Sequence, residues 1–236
     1  MHDSASGSEV AGCHRSQGRF SHIASQNAGC PEEWAQRRQT TEDETMKYLN
    51  AKQVLAVLEA ARANSSRDWA MLLLTFRHAL RSREVRQLKL SDISLADGTI
   101  RIERAKGSVS GVQTLDAHKG EPTLDEFVAL KAWLKERAED GSKVLFPSQK
   151  GGVMTRMQLL RLFKQYAAAA GIPEELAHPH ILRHSVCSIM AEQHSDIYAI
   201  QRKAAHKNIS NTMIYTHVSD KQADASCREA LMAAFA

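Results

Sequence analysis

Apolar residues recur at helical spacing along most of the chain from about residue 46 onward. Asn50, followed three residues later by Gln53, predicts a helix N-terminus with a capping box. The apolar residues that follow share one face of this helix: Val54, Leu55, Leu58 and Ala61. A second helix is predicted over about 67–79, and its almost continuous apolar stretch at 69–76 indicates a position in the centre of the core.

Polar caps predict three further helix starts. Ser82 is predicted to cap a helix that runs through Leu88, and Thr123 with Glu126 to form a capping box for the next one. Thr155 opens another amphipathic helix. Four more helices are predicted over about 180–193, 196–204, 210–217 and 222–235.

A short hairpin interrupts this helical pattern. Ile100 and Ile102 alternate with charged residues, as in a half-buried strand. A turn rich in glycine and serine at 107–111 leads into a second apolar segment at 112–115. The predicted fold class is therefore mainly α with a small antiparallel sheet.

The amino-terminal 45 residues differ from the rest. They are rich in Ser, Gly, Gln and His and have no apolar periodicity longer than a turn, so we expect a disordered polar arm over 1–45. The folded domain is expected over 46–236. Met46 is itself a candidate translational start, and the sequence leaves that choice open.

No segment resembles a membrane span or a secretory signal. No apolar run approaches the roughly 20 residues that cross a bilayer, and the first residues lack a basic start and an apolar core. We therefore expect a cytoplasmic protein with no membrane partner. The four cysteines are widely spaced and include no Cys-x-x-Cys pair, so reduced thiols are expected: Cys13, Cys30, Cys187 and Cys227.

The charge is divided unevenly between arm and domain. Residues 1–45 carry four arginines and seven acidic residues, a net −3, whereas the remainder carries 27 cationic and 20 anionic side chains, a net +7. A positive domain attracts polyanions, because phosphate contacts supply most non-specific affinity for nucleic acid. Many domains with this charge bind no nucleic acid, so the excess agrees with a DNA partner without establishing one.

The last quarter of the chain concentrates groups suited to phosphodiester chemistry. His180, Arg183, His184 and His206 precede Tyr215 within one short, helix-rich segment. A phenol is a poor nucleophile at its free pKa, near 10. It becomes useful beside a base, with cations that neutralise charge at phosphorus. This segment therefore contains the groups that a nucleophilic tyrosine needs.

Five sequence elements resemble the motifs of the tyrosine recombinases, the phage integrase family. They are Ala79-Leu80-Arg81-Ser82-Arg83-Glu84-Val85, Lys106, His180-x-x-Arg183, Ala205-His206 and Tyr215. They occur in the family's order, with 25 residues from Arg81 to Lys106, 23 from Arg183 to His206 and nine from His206 to Tyr215. The resemblance covers about 48–220 and implies the DNA breaking-rejoining catalytic-domain fold.

The resemblance implies a role for each cationic residue. Arg81 and Arg183 would bind the non-bridging oxygens of the scissile phosphate with their planar donors. His180 would accept the tyrosine proton or orient the phosphate, and His206 would donate a hydrogen bond to a phosphate oxygen. The alternative for each arginine is a solvated surface side chain, and for each histidine a buried, hydrogen-bonded imidazole.

The resemblance also assigns the nucleophile and the acid. Tyr215 would attack phosphorus to form a 3′-phosphotyrosine, which conserves the bond energy for religation without ATP. Lys106 would protonate the departing 5′ oxygen as a general acid; its alternative is an exposed lysine at a hairpin tip. The other tyrosines, Tyr48, Tyr166 and Tyr198, fit helix or core positions.

Two nearby residues are interpreted as structural. Glu84 is expected to support the loop of the first arginine. His184 lies outside the family's catalytic set and is interpreted as a buried imidazole. Although His180 and His184 have metal-ligand spacing on a helix, no third ligand is apparent, and zinc is disfavoured. No metal or other cofactor is expected.

The build is closest to the compact invertases that switch bacterial fimbrial genes, which consist of little beyond the catalytic domain. Larger members, such as Xer recombinases and phage integrases, carry an amino-terminal core-binding domain that closes a clamp around DNA. Forty-five polar residues are too few for such a domain. Two further departures are Ala79 and Ala205, where the family usually has glycine. If these positions need a positive φ, alanine costs about 1 kcal/mol or more. If they only permit close helix packing, a methyl fits, and we expect both alanines to be tolerated.

These features predict a site-specific DNA recombinase acting in integration, inversion or excision. Its expected partners are double-stranded recombination sites, a homo-tetramer on synapsed DNA and a DNA-bending accessory protein. An amphipathic tail over about 221–236 is expected to dock into a neighbouring subunit, with packing on its own domain as the alternative. The competing functions are a catalytically silent DNA-binding regulator, a truncated integrase remnant and a type IB topoisomerase.

Overall fold

The computed structural model describes residues 48–104, 110–137, 141–193 and 195–215, with the single residues Arg228 and Met232. The predicted fold class is confirmed, because these ranges are mainly helical with one three-stranded antiparallel sheet. No helix within them is long and apolar enough to cross a membrane. The elements are α1 (Ala51–Asn64), α2 (Ser66–Arg77), α3 (Ser82–Gln87), β1 (Ile93–Ser94), β2 (Thr99–Ile102), β3 (Gly111–Thr114), α4 (Glu126–Glu136), α5 (Arg156–Ala169), α6 (His180–Glu192), α7 (Ile197–Ala204) and α8 (Ser210–Met213).

Helix α2 forms the centre of the core, as its apolar stretch predicts. Every side chain from Asp68 to Thr75 is buried, and the helix packs against α1, α4 and α6. The buried Asp68 carboxylate accepts a hydrogen bond from the Tyr166 hydroxyl at 2.8 Å, and that hydroxyl accepts one from Asn64 at 2.7 Å. Burial and the neighbouring Asp68 raise the pKa of Tyr166 to about 12. Tyr166 is thus a core residue, as the sequence indicates.

The capping box predicted at Asn50 is confirmed, and the helix start predicted at Thr155 carries a second one. At the start of α1, the Asn50 side chain accepts from the Gln53 N–H at 2.9 Å, and the Gln53 side chain accepts from the Asn50 N–H at 3.0 Å. Thr155 and Gln158 exchange the same pair of bonds at the start of α5. Both boxes satisfy N–H groups that have no partner inside the helix.

The other two predicted caps are wrong. Thr123 lies in a 3-10 turn, and Asp125 caps α4 with its carboxylate instead. Ser82 is the first residue of α3 rather than its cap. The cap position belongs to Arg81, whose N–H donates to the Glu84 carboxylate at 2.8 Å. In both cases a carboxylate nearby satisfies the helix end in place of the predicted hydroxyl.

The predicted hairpin is confirmed. Strand β2 pairs antiparallel with β3, with Thr99 opposite Thr114 and Ile102 opposite Gly111, and β1 adds a short edge. Ile100 and Ile102 point into the core and are almost fully buried.

A buried histidine fastens this hairpin to the end of α2. The Nδ1 atom of His78 lies 2.9 Å from the Gln113 side-chain oxygen in β3. Its Nε2 atom lies 2.7 Å from a carboxylate oxygen of Glu126 at the start of α4, a close contact that is not aligned as a hydrogen bond. The other Glu126 oxygen accepts from the N–H of Asp116, just beyond β3, at 2.7 Å. These contacts fix the hairpin relative to the loop that carries Arg81.

Three sequence predictions fall outside the described residues. These are the disordered arm at 1–45, Lys106 in the connection between β2 and β3, and the docking helix at about 221–236 apart from Arg228 and Met232. They remain predictions.

Candidate active site

A sharp loop between α2 and α3 presents Arg81. The loop turns at Ala79, whose φ of 49° lies in the left-handed region. The Glu84 carboxylate then holds Arg81, accepting from its backbone N–H at 2.8 Å and from its guanidinium at 2.9 Å. With 29% of its side chain exposed, the Arg81 guanidinium is accessible to a ligand. The predicted support of this loop by Glu84 is therefore present.

A second arginine, Arg104, lies buried beneath this loop. Its guanidinium donates to the Glu84 carboxylate at 2.9 Å and to the carbonyl oxygens of His78 at 3.0 Å and Lys203 at 3.2 Å. A longer bond, at 3.4 Å, reaches the Ala79 carbonyl. Since Lys203 belongs to α7, Arg104 ties the first-arginine loop to the segment before His206.

The sequence interpretation missed Arg104, although a signal was present. Ile100, Ile102 and Arg104 continue one alternation along the strand, and all three are buried. An arginine on the inward face of a strand needs acceptors. Glu84 was the charged acceptor available near the first motif.

Charge balance keeps Glu84 ionised. Burial alone would raise the pKa of this carboxyl, but hydrogen bonds from Arg81 and the charge of Arg104 outweigh burial and lower it. The carboxylate in turn partners two guanidinium groups. The first-arginine loop is therefore built around one buried anion.

Arg183 is the largest fully buried side chain of the described residues, with 2% of its surface exposed. It lies on α6 and donates to the carbonyl oxygens of Ala79 and of Ala204, the latter at 2.5 Å. Burial, followed by the charge of Arg81, lowers its pKa to about 10, so it remains a cation at neutral pH. The alternative of a solvated surface arginine is wrong for Arg183.

His206 follows a second left-handed residue. Helix α7 ends at Ala204, and Ala205 has a φ of 51°. The Nδ1 atom of His206 lies 3.0 Å from the Thr212 hydroxyl in α8. Burial, with the charges of Arg183 and Arg81, lowers the pKa of His206 to about 4, so its imidazole is neutral at pH 7. A neutral imidazole retains one N–H to donate.

His180 is the first residue of α6 and faces the same group of cations. Burial, then the neighbouring His184 and Arg183, lowers its pKa to about 4. Its ring meets that of His184 edge to face, with centroids 4.7 Å apart and planes at 89°. His180 is therefore a neutral imidazole in edge-to-face contact with the imidazole of His184.

Tyr215 contacts the imidazole of His184. Its hydroxyl is 2.9 Å from the Nδ1 atom of His184, and Cys187, a buried free cysteine, is a further neighbour. Only 4% of Tyr215 is exposed, and burial, then the Cys187 sulfur, raises its pKa above the usual range for tyrosine. His184 is interpreted from the sequence as a buried, hydrogen-bonded imidazole; it is half-buried, and its hydrogen-bond partner is the Tyr215 hydroxyl. The signal was the position of His184 one turn after His180.

The structure thus brings five predicted site residues into one region: Arg81, His180, Arg183, His206 and Tyr215. Lys106 lies outside the described residues. Within the described ranges, no group of three or more His, Cys, Asp or Glu side chains is placed to hold a metal ion. The arrangement offers guanidinium donors for an anion, neutral imidazoles and a phenol, a set suited to phosphodiester chemistry.

The two left-handed alanines have a measurable consequence. Because a Cβ strains the left-handed backbone, we expect Ala79→Gly and Ala205→Gly each to raise the free energy of unfolding by about 0.5–1 kcal/mol in urea titrations. Ala168→Gly, at an exposed position of α5, is the matched control and should lower it by about 1 kcal/mol. Destabilisation by all three substitutions would show that the positive φ carries no strain.

Removing the buried guanidinium of Arg104 should change the free energy of unfolding more than the alanine substitutions do. Arg104→Met keeps an apolar stem but deprives Glu84 and the carbonyls of His78 and Lys203 of a donor. We expect the free energy of unfolding to fall by about 3–5 kcal/mol, the usual effect of breaking a buried pair. Arg101→Met, at an exposed position of the same strand, should change it by less than about 0.5 kcal/mol. Equal effects at both positions would argue against a linking role for Arg104.

Comparison with known proteins shows the family to which the chain belongs. A family model described as the phage integrase family matches residues 47–222. The chain is 34% identical to the type 1 fimbriae regulatory protein FimE of Escherichia coli K12 over 176 residues, which are 72% of this chain and 85% of FimE. It is 32% identical to the tyrosine recombinase XerD of Vibrio vulnificus over 184 residues, 75% of this chain but 58% of XerD.

Solved structures give the same relationship. The XerH site-specific recombinase bound to its difH substrate in a pre-cleavage complex superposes with a TM-score of 0.64 at 25% identity, covering 76% of this chain and 53% of XerH. The chain therefore spans most of the fimbrial protein but little more than half of the Xer recombinases.

Proposed function

Because the chain belongs to the phage integrase family of tyrosine recombinases, we propose that it is a site-specific recombinase that cleaves and rejoins DNA through a 3′-phosphotyrosine. One observation carries this proposal. Arg183 donates to the Ala79 carbonyl of the loop that carries Arg81, the charges of both arginines act on His180 and His206, and the charge of Arg183 also reaches Tyr215. A phosphodiester bound there meets two cations and a hydroxyl nucleophile.

The two arginines divide the binding of the phosphate. The partly exposed guanidinium of Arg81 is available to a non-bridging oxygen, while Glu84 fixes its direction. Arg183 adds a fully buried positive charge, whose attraction for an anion is strengthened by the low local dielectric. His206, neutral and aligned by Thr212, donates a hydrogen bond to a second oxygen. These groups stabilise the charge that develops when phosphorus is attacked.

The covalent steps involve Tyr215 and Lys106. Attack by the Tyr215 oxygen on phosphorus breaks the bond to the 5′ oxygen and joins the DNA 3′ phosphate to the protein. Lys106, which the family resemblance assigns as general acid, protonates that 5′ oxygen. Rejoining reverses these transfers with a new 5′ hydroxyl, so the bond energy is conserved. The reaction as we propose it uses neither a metal ion nor ATP.

The proposed partner is double-stranded DNA that carries recombination sites, in line with the difH substrate bound by the XerH site-specific recombinase. We further propose that strand exchange passes through a Holliday junction in a homo-tetramer, with the segment at 221–236 docked into a neighbouring subunit. A DNA-bending accessory protein belongs to the same proposal. Residues 46–236 form the catalytic domain in this scheme, and 1–45 form a polar arm.

A suicide substrate tests the function. The probe is a nicked duplex whose sequence has been recovered from a random pool by binding to the native protein. Cleavage near the nick releases a short strand, so religation is prevented and an SDS-stable adduct accumulates. A catalytically silent DNA-binding regulator would bind this duplex and form no adduct. A type IB topoisomerase would also relax supercoiled plasmids that lack the selected sequence, whereas a recombinase acts at its own site.

A further inference from the structure

The contact between Tyr215 and His184 points to a second role for α6. We propose that His184, through its Nδ1 atom, receives the proton of Tyr215 when that tyrosine attacks DNA. This inference rests on the proposed recombinase function and names the proton acceptor within it. His184 is outside the residues that the family resemblance assigns to catalysis.

The geometry favours His184 over the other imidazoles. Its Nδ1 atom lies 2.9 Å from the Tyr215 hydroxyl, the distance of a hydrogen bond along which a proton can pass. His206 directs its Nδ1 atom to Thr212 instead. His180 contacts the His184 ring edge to face at 4.7 Å between centroids, so it supports the acceptor from behind. His184 is therefore the imidazole in contact with the reacting atom.

The surroundings of His184 keep its imidazole neutral, so that it can accept a proton. Burial, then the charges of Arg183 and His178, lowers its pKa, so the imidazole is neutral at pH 7 and has one ring nitrogen without a proton. The charge of Arg183 discourages proton uptake by His184 while the site is empty. A bound phosphodiester carries a negative charge that offsets this cation, which makes the imidazolium easier to form. Proton transfer is thus coupled to the arrival of DNA.

Every bond and proton is accounted for in the proposed cleavage step. The Tyr215 oxygen forms its bond to phosphorus, and its proton passes to His184 Nδ1, which becomes an imidazolium. The bond from phosphorus to the 5′ oxygen breaks, and that oxygen takes its proton from the general acid. During religation the imidazolium of His184 returns the proton to Tyr215 as the phosphotyrosine bond breaks. No oxidant, metal or further reactant is needed.

Two substitutions separate proton transfer from mere positioning. The side-chain oxygen of His184→Asn can occupy the place of Nδ1 and accept the tyrosine hydrogen bond, but it is not a base near pH 7. His184→Ala removes both properties. If His184 receives the proton, adduct formation in a single turnover should slow by about 100-fold or more in both variants. The affinity for the nicked duplex and the thermal midpoint report binding and folding independently.

The pH dependence gives a second readout, and it can be measured on the native protein. A duplex with sulfur at the scissile 5′ position has a leaving group that needs no proton, so the rate reports the nucleophile. The groups facing His184 are the cation Arg183, the imidazoles of His178, His180 and His206, and the thiol of Cys187. The pKa of each of these imidazoles is lowered and that of the thiol is raised, so the imidazoles stay neutral and the thiol stays mainly protonated as the pH rises from 7.

The inference predicts a native rate that is nearly constant from pH 7 to 9. In the two variants it predicts a rate that rises about tenfold per pH unit, because solvent must then remove the tyrosine proton. A rate of adduct formation near the native one in His184→Asn, or a rate above the native one in His184→Ala, would overturn the inference. A native rate that rises tenfold per pH unit would also overturn it. Absence of any adduct from the native protein would instead contradict the proposed function.

Discussion

Tyr215→Phe is expected to abolish the covalent protein–DNA adduct while leaving the fold and DNA binding in place. Phenylalanine keeps the aromatic ring of this buried residue and removes the hydroxyl that we propose as the nucleophile. The substitution also removes the hydrogen bond to His184. A lost bond of this kind changes the free energy of unfolding by about 1 kcal/mol, too little to unfold a domain of ordinary stability. The measurement is the adduct band on denaturing gels after incubation with the nicked duplex.

The matched control is Tyr198→Phe. Tyr198 is the most exposed of the described tyrosines, at 67%, and an accessible phenol is the simplest competitor for the role of nucleophile. We expect this variant to form as much adduct as the native protein. Loss of the adduct in Tyr198→Phe, with retention in Tyr215→Phe, would reverse the assignment.

Arg183→Ala is expected to have the second largest effect, on both catalysis and stability. The guanidinium donates to the carbonyls of Ala79 and Ala204 inside the protein, so truncation leaves two buried acceptors without their donor. At about 1–3 kcal/mol for each unsatisfied group, the free energy of unfolding should fall by about 3 kcal/mol or more. Loss of a charge that stabilises the transition state should also slow adduct formation by at least about 10²–10³-fold.

Arg183→Lys separates these two effects. Lysine keeps the positive charge, but a single ammonium lacks the planar fork that reaches two carbonyls and leaves a donor for phosphate. We expect a folded, DNA-binding protein with slow adduct formation. Urea titration and single-turnover kinetics measure the two consequences separately. A stable Arg183→Ala protein that cleaves at the native rate would remove Arg183 from both roles.

Helix positions could be predicted from local pattern, and the errors have local causes. Asn50 and Thr155 cap as predicted because a Gln three residues later completes each box. Thr123 does not, because the Asp125 carboxylate is nearer to the free N–H groups of the helix. Glu126 is then available to contact His78, a contact between residues 48 positions apart that no local pattern contains.

The site was predicted as a set of residues but not as an assembly. The resemblance to the tyrosine recombinases points to Arg81, Arg183 and Tyr215, and it implies that these residues meet at one phosphate. The sequence could not show that Arg183 is buried against two carbonyls. Nor could it show that Arg104 links the loop of Arg81 to the segment before His206. Each of these contacts joins segments at least 20 residues apart.

The alanines at two usual glycine positions illustrate what backbone geometry adds. From sequence, Ala79 and Ala205 were compatible either with close packing or with a positive φ. The structure places both in the left-handed region. Arg183 donates to the carbonyl of Ala79 itself and to that of Ala204, the residue before Ala205. The strained turns therefore lie where they direct carbonyls towards the buried arginine.

The most direct test of the central claim is the chemical identity of the protein–DNA link. Trypsin digestion of the adduct should release a peptide spanning 208–221, in which Tyr215 is the only tyrosine. The account predicts that mass spectrometry finds the 3′ phosphate of the cleaved strand on Tyr215 in this peptide, with a free 5′ hydroxyl on the other strand end. DNA attached to any other residue, or through its 5′ phosphate, would contradict it.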